Sequence, residues 1–403
     1  MITKILSKWY TIFFLILAII IIGGFSNLSL EPTPLPSQEE NDFSKEESLP
    51  AAVSKAPATT TIDTEIQEST FQPPEIVKAV YLTGWSASNP RVVDYVIDIA
   101  KNTEINAVVV DVKDWSGYIT YDTNVLEAEQ YEAERILIPD IEAFVERFHK
   151  QGIYVIARIT VFQDPVLAWT KPNLAVYRKS NKFLLWLDKS GLAWIDPASK
   201  ESWDYNIAIA EDALSRGFDE LNFDYVRFPS DGNLENMGFP LWNGTTSKNL
   251  IIKGFYQSLR EKLPQATLSV DLFGLSTVSS NFGVGQNIED AYQYFDFVCP
   301  MVYPSHYVDG FRGYQNPAEY PYEIVKYSMD NALERLNVFN QVYPTKARLR
   351  PWLQDFDLGA TYDKDMVQSE INGVSEALGE HFSGFMLWNS RNVYTIEALL
   401  PAD

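Results

Sequence analysis

The chain is poor in thiols, in histidine and in positive charge. Its 403 residues include one cysteine, Cys299, and three histidines. A single cysteine excludes an intramolecular disulfide and a thiolate metal cluster, and its apolar surroundings predict a small buried side chain. The net charge is −22, with 32 basic residues against 54 acidic ones. This charge argues against nucleic acid and anionic membrane surfaces as partners.

The N-terminus is unlike the rest of the chain. Lys4 and Lys8 are followed by an almost unbroken apolar run to residue 25, which predicts a signal-anchor transmembrane segment over residues 1–25. A small-residue cleavage site is not evident, so an uncleaved anchor is favoured over secretion after signal cleavage. The basic flank would leave the N-terminus in the cytoplasm and place the remainder outside, as a single-pass cell-membrane protein.

Residues 26–75 are rich in proline, serine, threonine and glutamate and poor in large apolar residues. Such a composition cannot bury a core, so it predicts a disordered linker between the anchor and a domain.

Residues 76–403 alternate between strand-like and helix-like patterns. Apolar, β-branched runs predict eight strands, at 77–84, 107–112, 154–160, 220–224, 267–272, 297–303, 348–353 and 384–388. Helical patterns follow each strand, at 91–101, 139–151, 202–215, 248–262, 287–294, 317–336, 364–378 and 395–400. This count is typical of a (β/α)8 TIM barrel in the α/β class. An open doubly wound sheet is the competing architecture, but no strand-to-helix turn carries a glycine-rich phosphate loop.

Charged and aromatic residues are concentrated where these strands end, whereas the strand beginnings offer no comparable set of functional side chains. The strand ends supply Trp85, Asp111, Lys113, Asp114, Trp115, Arg158, Asp224, Tyr225, Arg227, Asp271, Tyr303, His306, Trp352, Asp355, Trp388 and Arg391. In a barrel these positions converge on the catalytic face. Ion pairing alone, such as Asp111 with Lys113 or Arg158, or Asp224 with Arg227, is the structural alternative for single residues.

Several chemistries are disfavoured by what this face lacks. Of the three histidines only His306 is placed to reach a substrate, so no metal centre is expected. The segment at 273–276 does not supply the nucleophile elbow of a serine hydrolase. Chemistry by a pair of carboxylates remains, with no cofactor required.

Glycoside hydrolysis uses two carboxyl groups across the scissile bond. Asp224 and Asp271 end neighbouring strands four and five and are the predicted pair. Trp85, Trp115, Trp352 and Trp388 could form a floor on which sugar rings stack, although aromatic side chains are also ordinary core material.

Four segments carry a family resemblance: KAVYLT at 78–83, NAVVVDVKD at 106–114 with GYITY at 117–121, NFDYVRFP at 222–229, and PMVYPSHY at 300–307. Together they resemble a bacterial family of glycoside-hydrolase-like domains, once counted among the domains of unknown function. The resemblance extends over residues 77–394 and implies distant kinship with amylase-like barrel glycosidases.

In those relatives a fourth-strand aspartate is the nucleophile and a fifth-strand acid donates the proton. The resemblance therefore implies that Asp224 is the nucleophile or charge stabiliser, held ionised by Arg227. The fifth-strand position carries Asp271 instead of glutamate, so Asp111, Asp114 or Asp355 could replace it as the acid. Tyr303 and His306 would bind sugar hydroxyls or stabilise the positive charge of the transition state. The other predicted substrate-binding residues are Asp111, Lys113, Asp114, Arg158, Tyr225, Arg227, Trp352, Asp355, Trp388 and Trp85.

The expected function is thus hydrolysis of a cell-envelope or extracellular polysaccharide, with long loops at 113–137 and 161–217 walling the groove. A surface protein that binds carbohydrate without cutting it is the main alternative. A lyase acting on envelope polymers is a third.

Overall fold

The computed structural model describes residues 74–280 and 283–402. Eight parallel strands form its centre. We label them β1 (Val77–Leu82), β2 (Ala107–Lys113), β3 (Tyr154–Thr160), β4 (Glu220–Asp224), β5 (Leu268–Phe273), β6 (Phe297–Met301), β7 (Arg348–Leu349 and Trp352–Gln354) and β8 (Gly384–Trp388).

The strands close into a barrel. Each strand pairs in parallel with the next along the chain, and β8 returns to β1 through the Val77 to Gly384 register. The predicted (β/α)8 TIM barrel is therefore confirmed.

Helices cover the barrel from outside. They are α1 (Pro90–Asn102), α2 (Ile141–His149), α3 (Lys200–Ser215), α4 (Lys248–Lys262), α5 (Ile288–Tyr292), α6 (Pro321–Asn340) and α7 (Lys364–Leu378), and the eighth connection is a single 3-10 turn, Ile396–Ala398. Polar residues begin several of them: Asn89, Asp140 and Ser199 each accept a hydrogen bond from a backbone N–H of the first turn. The predicted helix at 139–151 is shorter than expected because Asp140 caps it.

Alternating side chains divide the barrel wall into two faces. Val108, Val110 and Val112 of β2 point outward into the layer beneath the helices. Ala107 and Val109 point inward and pack with Tyr81, Cys299 and Trp352, among others. Cys299 is fully buried there, as its apolar setting predicts.

The strand beginnings also carry charged side chains, contrary to the expectation. Glu220 at the start of β4 pairs with Arg350, and both side chains are completely buried. The hydroxyl of Ser269 also donates to Glu220, at 2.5 Å. This ion pair fills the barrel interior at the end opposite the predicted site. Pro351, which has no N–H to donate, follows Arg350 and separates the two halves of β7.

The long loops contain regular structure of their own, and none of the residues in 113–137 or 161–217 lines the pocket described below. Strand Asn181–Leu185 forms a hairpin with Tyr177–Arg178, which also pairs with Met237–Gly238. The loops after β3 and β4 therefore share one small antiparallel sheet. Short helices at Gly84–Ala87, Leu126–Gln130 and Pro165–Thr170 lie within the loops after β1, β2 and β3.

The expected anchor at 1–25 and the linker at 26–75, except for Pro74 and Glu75, lie outside the described residues. Within the ranges 74–280 and 283–402, no helix has both the length and the apolar character to cross a bilayer.

Candidate active site

A pocket of about 400 Å³ opens at the carboxyl ends of β3 to β8. It is lined by Arg158, Asp224, Tyr225, Arg227, Asp271, Phe273, Gly274, Leu275, Met301, Tyr303, His306, Tyr307, Trp352 and Trp388. Nine of the fourteen predicted site residues are among them. Their positions at the predicted strand ends were therefore sufficient to predict most of the site.

Arg158 of β3 lies at the centre of the acidic residues. Its Nη1 donates to Asp111 at 2.6 Å, its Nη2 donates to Asp224, and its Nε is 3.8 Å from Asp271. The strand register explains this grouping, since Asp111 is the direct neighbour of Arg158 across β2 and β3. One buried guanidinium thus faces three carboxyl groups on three strands.

Asp224 ends β4 and is 6% exposed. Besides the contact to Arg158, its Oδ1 accepts the backbone N–H of Tyr225 at 2.5 Å. Tyr225 has a positive φ of 54°, a conformation uncommon for residues other than glycine and frequent at functional sites. The turn that directs Asp224 into the pocket is therefore held in a strained backbone geometry.

Asp271 of β5 is held more rigidly. Its Oδ1 accepts the indole N–H of Trp352 at 2.7 Å and the Asn222 amide at 2.9 Å. Burial and, secondly, the charge of Asp224 raise its pKa well above the usual range for aspartate, although Arg158 opposes the shift. Asp271 can therefore keep a proton at a pH where an exposed aspartate has lost it.

Asp111 lies behind Arg158 and outside the pocket lining. Its Oδ2 accepts the hydroxyl of Tyr81 at 2.5 Å. Burial raises the pKa of Asp111 to about 6, despite the opposing effects of the Arg158 charge and the Tyr81 hydrogen bond. Asp111 is positioned to orient Arg158 and is shielded from a substrate by it.

Aromatic side chains form the wall around the acids. Trp388 stacks on Tyr81 with ring centroids 4.0 Å apart, and the Arg158 guanidinium lies 5.1 Å from its ring. Tyr303 packs against His306 at 5.2 Å. Burial, then the charges of Asp271 and Asp224, raise the pKa of Tyr303, while burial lowers the pKa of His306. Both side chains thus favour their neutral forms beside the two carboxyl groups.

The expected ion pair between Arg227 and Asp224 is not formed, and Arg158 pairs with Asp224 instead. The Arg227 guanidinium is enclosed by rings, 4.7 Å from Trp194, 5.1 Å from Tyr225 and 4.6 Å from Phe273. It lines the pocket all the same.

Lys113 is a correction to the predicted site. A β-bulge between Asp111 and Lys113 shifts the register of β2 by one residue, which turns the lysine to the outer face. There its Nζ is 2.7 Å from Asp164 and 3.0 Å from the Asn206 amide oxygen, with no exposure to solvent. Without the bulge, the alternation of side chains along a strand would place Lys113 on the same face as Asp111. The prediction for Lys113 was wrong for this reason.

Three other predicted residues also lie outside the pocket lining. Asp114 closes its own turn by accepting the backbone N–H of Ser116 at 2.8 Å. Asp355 accepts both the backbone N–H and the hydroxyl of Thr395, at 2.8 and 2.7 Å, so neither acid is the partner of Asp224. Trp85 is 60% exposed, and its contact with sugar stays a prediction.

Sequence reasoning missed the wall that follows β5 and β6. Phe273, Gly274, Leu275, Met301 and Tyr307 line the pocket. Gly274 offered a signal, because a Cβ there would lie 2.5 Å from the Met301 carbonyl oxygen and 2.6 Å from the Tyr307 hydroxyl. Only glycine fits this corner.

Comparison with known proteins gives a family and a fold. Over residues 79–394 the sequence matches a family described as "Putative glycosyl hydrolase domain". A hypothetical protein from Ruminiclostridium thermocellum ATCC 27405 is 40% identical, over 48% of this chain and 96% of that one, with a TM-score of 0.44. The glycoside hydrolase domain of PgaB (BpsB) from Bordetella bronchiseptica is 15% identical, over 79% of this chain and 95% of that one, with a TM-score of 0.55. The glycoside hydrolase domain of PelA from Pseudomonas aeruginosa is 10% identical, over 82% and 98% of the two chains, with a TM-score of 0.42. No curated protein matches the sequence.

The closed parallel barrel carries carboxylates, an arginine and aromatic rings at its carboxyl face, a combination typical of the glycosidase class. Within that class, the match over residues 79–394 shows that the chain belongs to the "Putative glycosyl hydrolase domain" family.

Proposed function

We propose that the barrel hydrolyses glycosidic bonds of a cell-envelope or extracellular polysaccharide, with Asp224 and Asp271 as its two carboxyl groups. The observation that carries the proposal is that both acids line one pocket and contact one guanidinium, that of Arg158. Because they share this partner, the facing oxygens of the two carboxyl groups can be no more than roughly 9 Å apart, which does not exceed the upper limit for glycosidase pairs.

The two acids have different environments, and this difference assigns their roles. Asp224 pairs with Arg158 and would act as nucleophile or as stabiliser of the positive charge at the anomeric carbon. Asp271 has a raised pKa and would deliver a proton to the leaving oxygen as the glycosidic bond breaks. Water supplies the hydroxyl group of the product and returns a proton to the pair. A carboxyl group whose pKa is raised by its surroundings is typical of the proton donor in such sites.

The surroundings of the acids suit a sugar ring. Trp388, Tyr303 and His306 offer ring faces and polar edges at the pocket wall. Aromatic faces stack on the apolar faces of sugars, while neutral hydroxyl and imidazole groups bond to sugar hydroxyls. The pocket volume of about 400 Å³ falls in the range of small-molecule sites.

The choice of an envelope or extracellular polymer rests on the N-terminal sequence. The apolar run at 9–25 and the polar stretch after it support a single-pass anchor with the barrel outside, or secretion if the segment is removed. A membrane-tethered barrel would act on polymers at the cell surface.

A carbohydrate-binding protein without hydrolytic activity is the second candidate. It is favoured by one observation: both carboxyl oxygens of Asp224 already have partners in the protein, Arg158 and the backbone of Tyr225. A barrel that has lost its hydrolytic activity could keep this arrangement for structural reasons.

One screen separates the two candidates. The full-length chain and its Asp224→Asn variant are incubated with bacterial envelope and matrix polysaccharides, and both retention on the polymer and release of reducing ends are measured. Release by the parent protein alone is the expected result. Equal retention by both proteins without release would favour the binding protein.

A further inference from the structure

Arg227 differs from every other charged residue of the pocket. Only 8% of it is exposed, yet in the described part of the chain it forms no ion pair. Arg158, in the same pocket, faces three carboxyl groups. Burial lowers the pKa of Arg227, against the more distant charges around it, but a guanidinium still keeps its proton at neutral pH. The pocket therefore contains a buried guanidinium without a direct ion-pair partner among the described residues, and the carboxylates of Asp224, Asp231 and Asp188 act on it only from farther away.

The hydrogen bonds of Arg227 are also incomplete. Its Nη1 donates to the Phe228 carbonyl at 3.3 Å and to the Ser230 hydroxyl at 3.1 Å. For Nε and Nη2 no acceptor is found among the described residues. Of five N–H groups, most are left for a ligand.

The aromatic rings around Arg227 stabilise a cation without neutralising its charge. Trp194, Tyr225 and Phe273 each lie within about 5 Å of the guanidinium, where cation–π attraction operates. Packing among three rings restricts the movement of the guanidinium, which favours binding of an anion to its remaining N–H groups. A buried cation held in this way is costly unless an anion joins it, and carboxylate is the anion that fits the guanidinium fork in bidentate fashion.

We propose that Arg227 binds the carboxylate of an acidic sugar, so that the substrate is a uronate-containing or otherwise carboxylate-bearing polysaccharide. This inference rests on the proposed hydrolytic function and adds the substrate class to it. One guanidinium without a direct ion-pair partner offers a place for one carboxylate per bound sugar. The local cation also overcomes a general obstacle, since a chain with a net charge of −22 repels an acidic polymer elsewhere on its surface.

The test compares charged and uncharged forms of the same sugars. Oligosaccharides of polygalacturonate, hyaluronan and alginate are offered beside their methyl esters, which keep every linkage and hydroxyl group but lose the charge. Hydrolysis and binding by the full-length chain are measured at low salt. We expect the acidic form of a substrate oligosaccharide to be preferred over its ester by at least tenfold in kcat/KM, mainly through KM.

Three variants test whether Arg227 is the residue that produces the preference for the acidic form. Arg227→Met keeps the volume and removes the charge, so it should raise KM for the acidic form at least tenfold and raise KM for the ester by a clearly smaller factor. Arg227→Lys keeps the charge and should retain part of the preference. Arg135→Met is the matched control, because Arg135 also stacks on an aromatic ring, 3.9 Å from Tyr118, and lies outside the pocket lining. Thermal melting of each variant verifies folding.

The outcomes distinguish this inference from the hydrolytic function beneath it. Hydrolysis of neutral or amine-bearing polymers without preference for acidic ones would overturn the carboxylate assignment and keep the glycosidase. Equal losses on acid and ester in Arg227→Met would overturn it as well, by giving Arg227 a purely structural role. Arg227-dependent binding of acidic sugars without bond cleavage would support the assignment and count against hydrolysis.

Discussion

Arg158 pairs with Asp224 across two adjacent strands, β3 and β4, in the barrel interior. The same guanidinium donates to Asp111 at 2.6 Å, so its plane is fixed from both sides. The proposed nucleophile is therefore positioned through an arginine that a third strand orients. In the proposed mechanism, Asp111 and Arg158 therefore act as positioning residues, and Asp224 is the group that would reach the substrate.

Replacing Arg158 with lysine should impair catalysis more than binding. An ammonium group carries the charge but cannot hold two carboxylates in one plane, and displacement of a reacting group by about 1 Å can cost around 10²-fold in rate. We expect kcat to fall by about that factor, with KM changed little. Arg350→Lys is the matched control, because Arg350 is an equally buried arginine paired with Glu220 at the other end of the barrel. Unchanged kcat in Arg158→Lys would contradict the positioning role.

Asp271→Asn separates proton donation from the rest of catalysis. The raised pKa of Asp271 lets it donate a proton, and loss of a general acid costs about 10²–10⁴-fold. We expect that loss on the natural polymer and a much smaller one on an aryl glycoside of the same sugar, whose leaving group needs no proton. Steady-state kinetics on the two substrates make the comparison. Equal losses on both would remove Asp271 as the acid.

Asp111 should make the protein more stable in mild acid. Its pKa is raised from 3.8 to about 6 in the folded chain, so the folded state holds this proton more tightly than the unfolded state. The stabilising contribution is complete below about pH 4 and is lost as the pH rises through about 6, a change of roughly 3 kcal/mol at most. Asp111→Asn should flatten the pH dependence of the free energy of unfolding in urea over this interval. Asp122→Asn, at an exposed position, should leave it unaltered, and an unaltered slope in Asp111→Asn would refute the assignment.

The barrel itself was predictable because strand periodicity and strand ends are local properties. β3, β4 and β8 begin and end where the apolar runs do, and Asp224 and Asp271 follow from the rule that strand ends converge. The bulge in β2 was not predictable, since an extra residue leaves no mark on apolar spacing. It moved Lys113 out of the site.

The sequence also could not predict which charged side chains form ion pairs with each other. Asp224 had Arg227 three residues away, but side chains three apart on an extended strand and turn face different directions. The arginine that pairs with Asp224 lies 66 residues earlier, on β3. The register of neighbouring strands decides such contacts, and only the closed barrel fixes that register.

Lys113→Met should affect stability and spare catalysis. The variant leaves Asp164 without its partner at a site with no solvent exposure, and breaking one side of a buried pair costs about 3–5 kcal/mol. Activity per folded molecule should match the parent protein. The double variant Lys113→Met/Asp164→Asn should recover much of the stability, because asparagine can still accept the Leu167 N–H that caps the short helix. Selective loss of kcat without loss of stability would return Lys113 to the active site.

The central claim is that Asp224 and Asp271, alone among the aspartates at the strand ends, carry the chemistry. The most direct measurement is kcat/KM for hydrolysis by four isosteric variants, Asp224→Asn, Asp271→Asn, Asp114→Asn and Asp355→Asn, each verified to be folded. The first two should lose at least about 10²-fold, and the other two, whose carboxyl groups bond to Ser116 and Thr395, should stay within a fewfold of the parent. Retention of most activity by Asp224→Asn, or a loss in Asp355→Asn as large as in Asp224→Asn, would contradict the account.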